Sequence, residues 1–107
     1  MNKDNKTLKN TVIIEHINLS IDELCHATQV SQTIIIEWIN HDILSPEGTN
    51  QKEWVFDHDD FKKAQVAARF SKDLEINSPG IYLALDLLDR IDKLQHINNQ
   101  LQSLQED

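Results

Sequence analysis

This 107-residue chain has little glycine, a single cysteine, no long apolar run and far less positive than negative charge. With only Gly48 and Gly80 in the whole sequence, there is no glycine-rich loop to cradle a nucleotide phosphate. Cys25 stands alone and reads as a small apolar residue in a reducing compartment. His26 is next to it, but adjacent helical residues point apart, so the two do not form a nucleophile–base pair. The five histidines show no metal-ligand spacing. Neither a metal, a cofactor nor catalysis is expected. No stretch comes near the ~20 apolar residues that a membrane span needs. The polar start "MNKDNKTLKN" lacks the apolar centre of a secretory signal. A cytoplasmic protein is the expectation.

The missing positive charge is the most selective of these absences. Between Asn10 and Gln51 there is no lysine or arginine, against six acids: Glu15, Asp22, Glu23, Glu37, Asp42 and Glu47. The whole chain carries a net charge of −8. Such a balance repels phosphate backbones and anionic lipid and attracts basic partners.

What remains is the pattern of one small helical domain with an appended helix. Residues 1–10 read as a flexible polar arm, residues 11–76 as the domain, and residues 78–105 as a long C-terminal helix. "TVIIEHI" (11–17) is strand-like, able to pair with "EWVF" (53–56). Ser20 and Glu23 make a capping box for a helix running to about Ala27, with Ile21, Leu24 and Cys25 on one face. Ser31 caps a second helix whose inward face is Ile34, Ile35, Trp38 and Ile39. The Pro/Gly/Asn-containing stretch that follows, with short extended pieces at 43–44 and 53–56, is the pattern of a small β-wing. Asp57 caps a third helix extending to about Leu74, which buries Phe61, Ala64, Ala68 and Phe70. Ser78 as cap and Pro79 at the first helical position open the last helix. There "GIYLALDLLDRIDKL" is apolar enough to pack on the domain. Beyond it, Leu94, Ile97, Leu101 and Leu104 are spaced for either a short coiled coil or a frayed terminal helix.

The second helix and its turn, "QVSQTIIIEWINHDIL", resemble the recognition element of the MerR-type fold, whose pattern is roughly G-V-S-x-R-T-L-R-x-Y-E-x-x-G-L-L-x-P. Val30, Ser31, Ile35, Trp38, Leu44 and Pro46 fit it, with Gln29 and Asp42 at the glycine positions. The implied fold class is mainly α: a MerR-like winged helix-turn-helix with a small β-wing and a long C-terminal helix. At the two basic positions of the pattern stand Thr33 and Ile36. Phosphate neutralisation and guanine readout both need Lys or Arg. DNA binding through residues 10–51 is therefore not expected. Lys62, Arg69 and Lys72 share one face of the third helix and leave a nucleic-acid patch open there, beside the simpler reading of a solvated face.

From Trp54 onward the likeness is narrower. "WVFD" (54–57), Arg69, Leu74, "PGI" (79–81) and then Ala84, Leu85, Leu87, Asp89, Ile91 and Leu94 stand in register with the CbpM-type chaperone modulators, and the resemblance covers about residues 12–104. It implies an adaptor that binds the J-domain of a CbpA-type, DnaJ-like co-chaperone and inhibits its stimulation of Hsp70. The residues suit that role: Asp86, Asp89 and Asp92 recur every three positions beside the apolar seam of Leu87, Ile91 and Leu94. That makes an acidic stripe fit for a basic helix. Asp86 and Asp89 are the expected partner-binding residues, with Asp92 and Glu37 as further candidates. A homodimer through the C-terminal helix is a further expectation. Two other readings stay open from sequence: a MerR-like DNA-binding transcription regulator, and an antitoxin-like acidic protein that neutralises a basic partner.

Overall fold

Each helix of the computed structural model, which describes residues 17–105, begins where a side chain can satisfy the first free backbone N–H groups. Helix α1 (Ile21–Thr28) has the full capping box. The Glu23 N–H donates to Ser20 Oγ at 3.2 Å, and the Ser20 N–H donates to Glu23 Oε1 at 2.9 Å. Helix α2 (Gln32–Asn40) starts at Ser31, whose hydroxyl accepts from the Ile34 N–H. Helix α3 (His58–Leu74) starts at Asp57, which accepts from the Asp60 N–H at 2.9 Å. Helix α4 (Ser78–Gln105) departs from expectation by one residue. Asn77 is the cap, its Oδ1 accepting from the Gly80 N–H at 3.0 Å, so Ser78 is free for another contact.

The turns between helices use left-handed residues that are not glycine. Gln29, Asp42 and Glu75 sit at φ of 60°, 63° and 53°. Gln29 and Asp42 are the two positions where the MerR-like pattern has glycine, so the turn geometry is kept although the residue is not. Lys72 of α3 supports the first turn, donating to the carbonyls of Thr28 and Gln29 at 3.2 and 2.8 Å.

The core lies where α1, α2 and α3 meet. Leu24, Ile35, Trp38, Ile43, Leu44, Phe56, Ala64, Ala67 and Ile81 are buried in it. Phe61 and Phe70, expected inside, are only partly buried, and the small side chains Ala64, Ala67 and Ala68 let α3 approach closely instead. Phe56 is fully buried and meets the half-buried Trp54 edge-on at 6.5 Å.

The expected β-wing is not formed as strands. Among the described residues there are two isolated antiparallel bridges, Leu19 with Phe56 and Glu47 with Val55. The physical reason is Asn50, whose side chain accepts from the N–H groups of Lys52 and Glu53 at 3.0 and 3.2 Å. That capping folds Gln51–Glu53 into a 3₁₀ turn where a wing strand would begin. Gly48, at φ 121°, closes the same loop; a Cβ there would lie 2.7 Å from the Glu53 carbonyl oxygen. Of the expected strand at 11–17, residues 11–16 lie outside the described residues. The pairing with the "EWVF" piece is made by Leu19, further along the chain.

Helix α4 touches the domain through its beginning only. Ser78 and Ile81 are buried and Leu85 is partly so, whereas Tyr82, Leu83, Leu87, Leu88, Ile91 and Leu94 are about half exposed or more. The apolar stretch at 80–94 thus packs far less on the domain than its composition suggests.

One buried acid offers a test of this packing. Asp60 is buried and accepts from the Ser45 N–H at 3.1 Å. Burial, above all, raises its carboxyl above the ordinary aspartate value; the Ser45 N–H opposes the shift and Asp57 adds to it. The folded state therefore holds this proton more tightly than the unfolded chain, so stability falls as pH rises from the ordinary aspartate value and the loss is complete once pH passes the raised pKa. Asp60→Asn keeps an acceptor for Ser45 and cannot ionise. Urea unfolding at a series of pH values should show the stability difference shifting in the variant's favour from pH ~4 to neutrality.

Candidate functional site

At the end of α2 the Trp38 carbonyl accepts from the N–H groups of Ile43 and Leu44, at 2.9 and 3.4 Å. This turns the chain back so that both side chains enter the core. Asp42, at the apex, stays outside in its left-handed conformation. The first two turns of α3 carry Asp59 and Lys63 past the same place, and the first turns of α4 bring Tyr82, Leu85, Asp86 and Asp89 alongside. Together with Ile43 these residues line a cleft of about 320 Å³. Its rim holds four carboxylates and one ammonium, and its walls are Ile43, Leu85 and the half-exposed Tyr82 ring.

Three of the four carboxylates already have intramolecular partners. Asp59 pairs with Lys63, Asp86 with Arg90 and Asp89 with Lys93, each at 3.1 Å and each four residues apart on one helix. These pairs are solvent-exposed, and each is worth well under ~1 kcal/mol. They are weak enough to exchange for a better cation. Asp42 has no ion-pair partner among the described residues. A concave, acidic, partly apolar surface of this kind suits a basic side chain that brings its own methylene stem.

The residues expected from sequence are only partly gathered here. Asp86 and Asp89 meet in the cleft. Asp92 lies further along α4, beside Lys93, His96 and Ile97. Glu37 is not part of the lining; its carboxylate accepts from the hydroxyl of buried Ser78 at the start of α4. Asp42, Asp59, Lys63, Tyr82 and Leu85 were not anticipated as one site. The available signal was Asp42 itself, a left-handed cap before the apolar pair Ile43–Leu44. The basic face of α3 is partly committed within the fold, since Lys72 holds the end of α1.

A second surface runs along α4. Leu83, Leu87, Leu94 and Leu101 fall on the side roughly 180° from Ile81 and Leu85, at about 100° per residue. All four are exposed; Leu94 reaches 65%. No helix among the described residues is long and apolar enough to cross a membrane. No group of three His, Cys, Asp or Glu side chains among them could hold a metal ion.

Helix, tight turn, second helix, a long loop with a 3₁₀ turn, third helix and long terminal helix make up a helix-turn-helix regulatory scaffold, and residues 19–103 match the family described as "MerR HTH family regulatory protein". The chain is 43% identical over 98 residues to the "Chaperone modulatory protein CbpM" of Coxiella burnetii (strain Dugway 5J108-111), covering 92% of this chain and 90% of that one. Proteins of the same name from Pseudomonas entomophila (strain L48) and Pseudomonas putida (strain W619) are 32% and 30% identical over 94 residues, 88% of this chain and 90% of each. The chain therefore belongs to the CbpM family of chaperone modulatory proteins, built on the MerR-type scaffold. These relatives carry the names of modulators, not of enzymes.

Position 42 separates backbone geometry from charge. Asp42→Gly keeps the left-handed turn and removes a cleft carboxylate; it should leave the melting temperature unchanged or raise it slightly. Asp42→Leu should lose roughly 1 kcal/mol, because a side chain without a local hydrogen bond fits that conformation poorly. Thermal unfolding of the two variants beside the parent checks both.

Proposed function

We infer that this protein is a chaperone modulator whose acidic cleft takes the basic helix of a J-domain, so that a CbpA-type, DnaJ-like co-chaperone can no longer stimulate Hsp70. The observation that carries this reading is the convergence of Asp42, Asp59, Asp86 and Asp89 around an apolar wall at the junction of α2, α3 and α4. The names of the relatives support the class of function, and the resemblance in residues 54–94 supports the partner. Cytoplasmic residence follows from the same reading. A basic helix would displace Arg90 and Lys93 from their aspartates and seat an apolar residue against Tyr82 and Leu85. Charge complementarity would then speed encounter and fix orientation, while the apolar contact supplies most of the affinity. The acids are equally wrong for DNA, which needs cations along its phosphates.

A second reading, of assembly, rests on the exposed stripe Leu83, Leu87, Leu94 and Leu101. A monomer rarely leaves so long an apolar face in water, and a second copy of the same helix covers it by symmetry. The stripe and the cleft lie on different sides of α4, so a homodimer leaves the acidic surface free.

Binding of an isolated J-domain, followed by titration calorimetry at several salt concentrations, tests the first reading. Affinity should fall with salt, and Asp86→Lys with Asp89→Lys should weaken it by roughly 100-fold, about 1.4 kcal/mol per reversed charge, with the melting curve preserved. If the wild-type protein binds no J-domain at micromolar concentration, the reading fails. A gel shift on random duplex at low salt, or co-purification of a basic toxin in its place, would then favour one of the two other readings open from sequence. For the assembly, sedimentation should give twice the chain mass of 12.4 kDa, and Leu94→Asp with Leu101→Asp should give a folded monomer. A wild-type monomer at micromolar concentration would count against the dimer.

A further inference from the structure

We propose that Glu37 is a positioning residue: it fixes the direction in which α4 leaves the domain, and with it the shape of the acidic cleft. Position 37 is on the helix that occupies the recognition position of a DNA reader, where an acid would meet repulsion from the phosphates. In this fold the carboxylate is turned to the start of α4, where it accepts from the hydroxyl of Ser78. Among the described residues this is the one side-chain hydrogen bond between α4 and any other element, and no ion pair joins α4 to the rest. A carboxylate beside the first turn also meets the positive end of the helix dipole.

The geometry makes this tether matter. Helix α4 is 28 residues long, or ~42 Å at 1.5 Å per residue, and is held only at its beginning. Ile81, 1% exposed, is the fulcrum. Gly80 sits so close to Ile76 that an added Cβ would come within 2.7 Å of its Cγ2, so the pivot is tightly packed on one side. Glu37 holds it from the α2 side. With Ile81 as pivot, a swing of ~10° would carry Asp89 through ~2 Å and the far end of the helix through ~6 Å. The first of these displacements is large enough to part Asp86 and Asp89 from Asp42 and Asp59 across the cleft.

The orientation can be measured without any partner. Spin labels at Gln65→Cys on α3 and Gln102→Cys on α4, in a Cys25→Ser background diluted with unlabelled chain, report the angle as a distance distribution. Glu37→Ala and Ser78→Ala should shift the mean by several ångströms, on the scale of the ~6 Å lever displacement, or broaden the distribution about twofold. Glu37→Gln, which keeps an acceptor oxygen for Ser78, should stay close to the parent. Distributions for Glu37→Ala and Ser78→Ala that match the parent, in proteins that melt normally, would overturn the proposal. If Glu37→Ala fails to fold, Ser78→Ala decides alone, since it removes the donor with a minimal change in volume.

A second arm rests on the J-domain reading above. Glu37→Ala should weaken J-domain binding several-fold, and Glu37→Gln should restore it with the same salt dependence. If Glu37→Gln is as weak as Glu37→Ala, the residue is a direct charge contact and the positioning role is wrong. Absence of J-domain binding by the wild-type protein would sink the docking reading and leave the distance result standing on its own.

Discussion

Trp38 is the residue on which the rest of the structure depends, because its side chain and its carbonyl act at once. The indole is 1% exposed, at the centre of the core. The carbonyl accepts from Ile43 and Leu44 and so brings those two residues into the same core. Fully burying each such apolar side chain is worth about 1.5–3 kcal/mol, enough to impose the backbone at Asp42 that the return requires. The chain is then delivered to the loop that ends at Phe56, whose backbone pairs with Leu19 at 2.8 Å in both directions. From there Asp57 starts α3, and α3 carries Lys72 back to the end of α1.

Charge then decides how that scaffold can be used. A helix-turn-helix fold is neutral about its ligand, since nothing in the packing of Leu24, Ile35 and Trp38 concerns what lies outside. Thr33, Ile36 and Glu37 stand where a DNA reader would meet phosphate and base, and they offer no cation. The acids of α3 and α4 gather instead on one cleft, where Tyr82 and Leu85 supply apolar surface. The chain belongs to a family of proteins named chaperone modulators, built on the MerR-type scaffold.

Much of the fold was legible in the sequence, because its helices are started by local chemistry. Ser20 with Glu23, Ser31 and Asp57 are caps that any reader of propensities would mark, and the structure uses all of them. The miss at α4 has a simple source: Asn77 and Ser78 are both good caps, and only the neighbouring Glu37 tells which one is needed elsewhere. The wing was misread because Asn50 captures two backbone N–H groups for a 3₁₀ turn, a competition that strand propensity does not register. The exposure of α4 was misread because apolar content says how much surface seeks cover, not whether the same chain provides it. Asp86 and Asp89 could be marked by their spacing on one helix. Asp42 and Asp59 could not be joined to them, since three separate elements converge there and no periodicity links them.

The left-handed turn at position 42 has a consequence for how such a surface can change over generations. That backbone conformation admits glycine, aspartate or asparagine far more readily than other residues. Codons for glycine and aspartate differ by one base, as do those for aspartate and asparagine. A lineage can therefore add or remove a charge at the mouth of the cleft in one mutational step, with the core undisturbed on either side of it. Position 42 is one at which the charge of the cleft can change while the fold stays fixed.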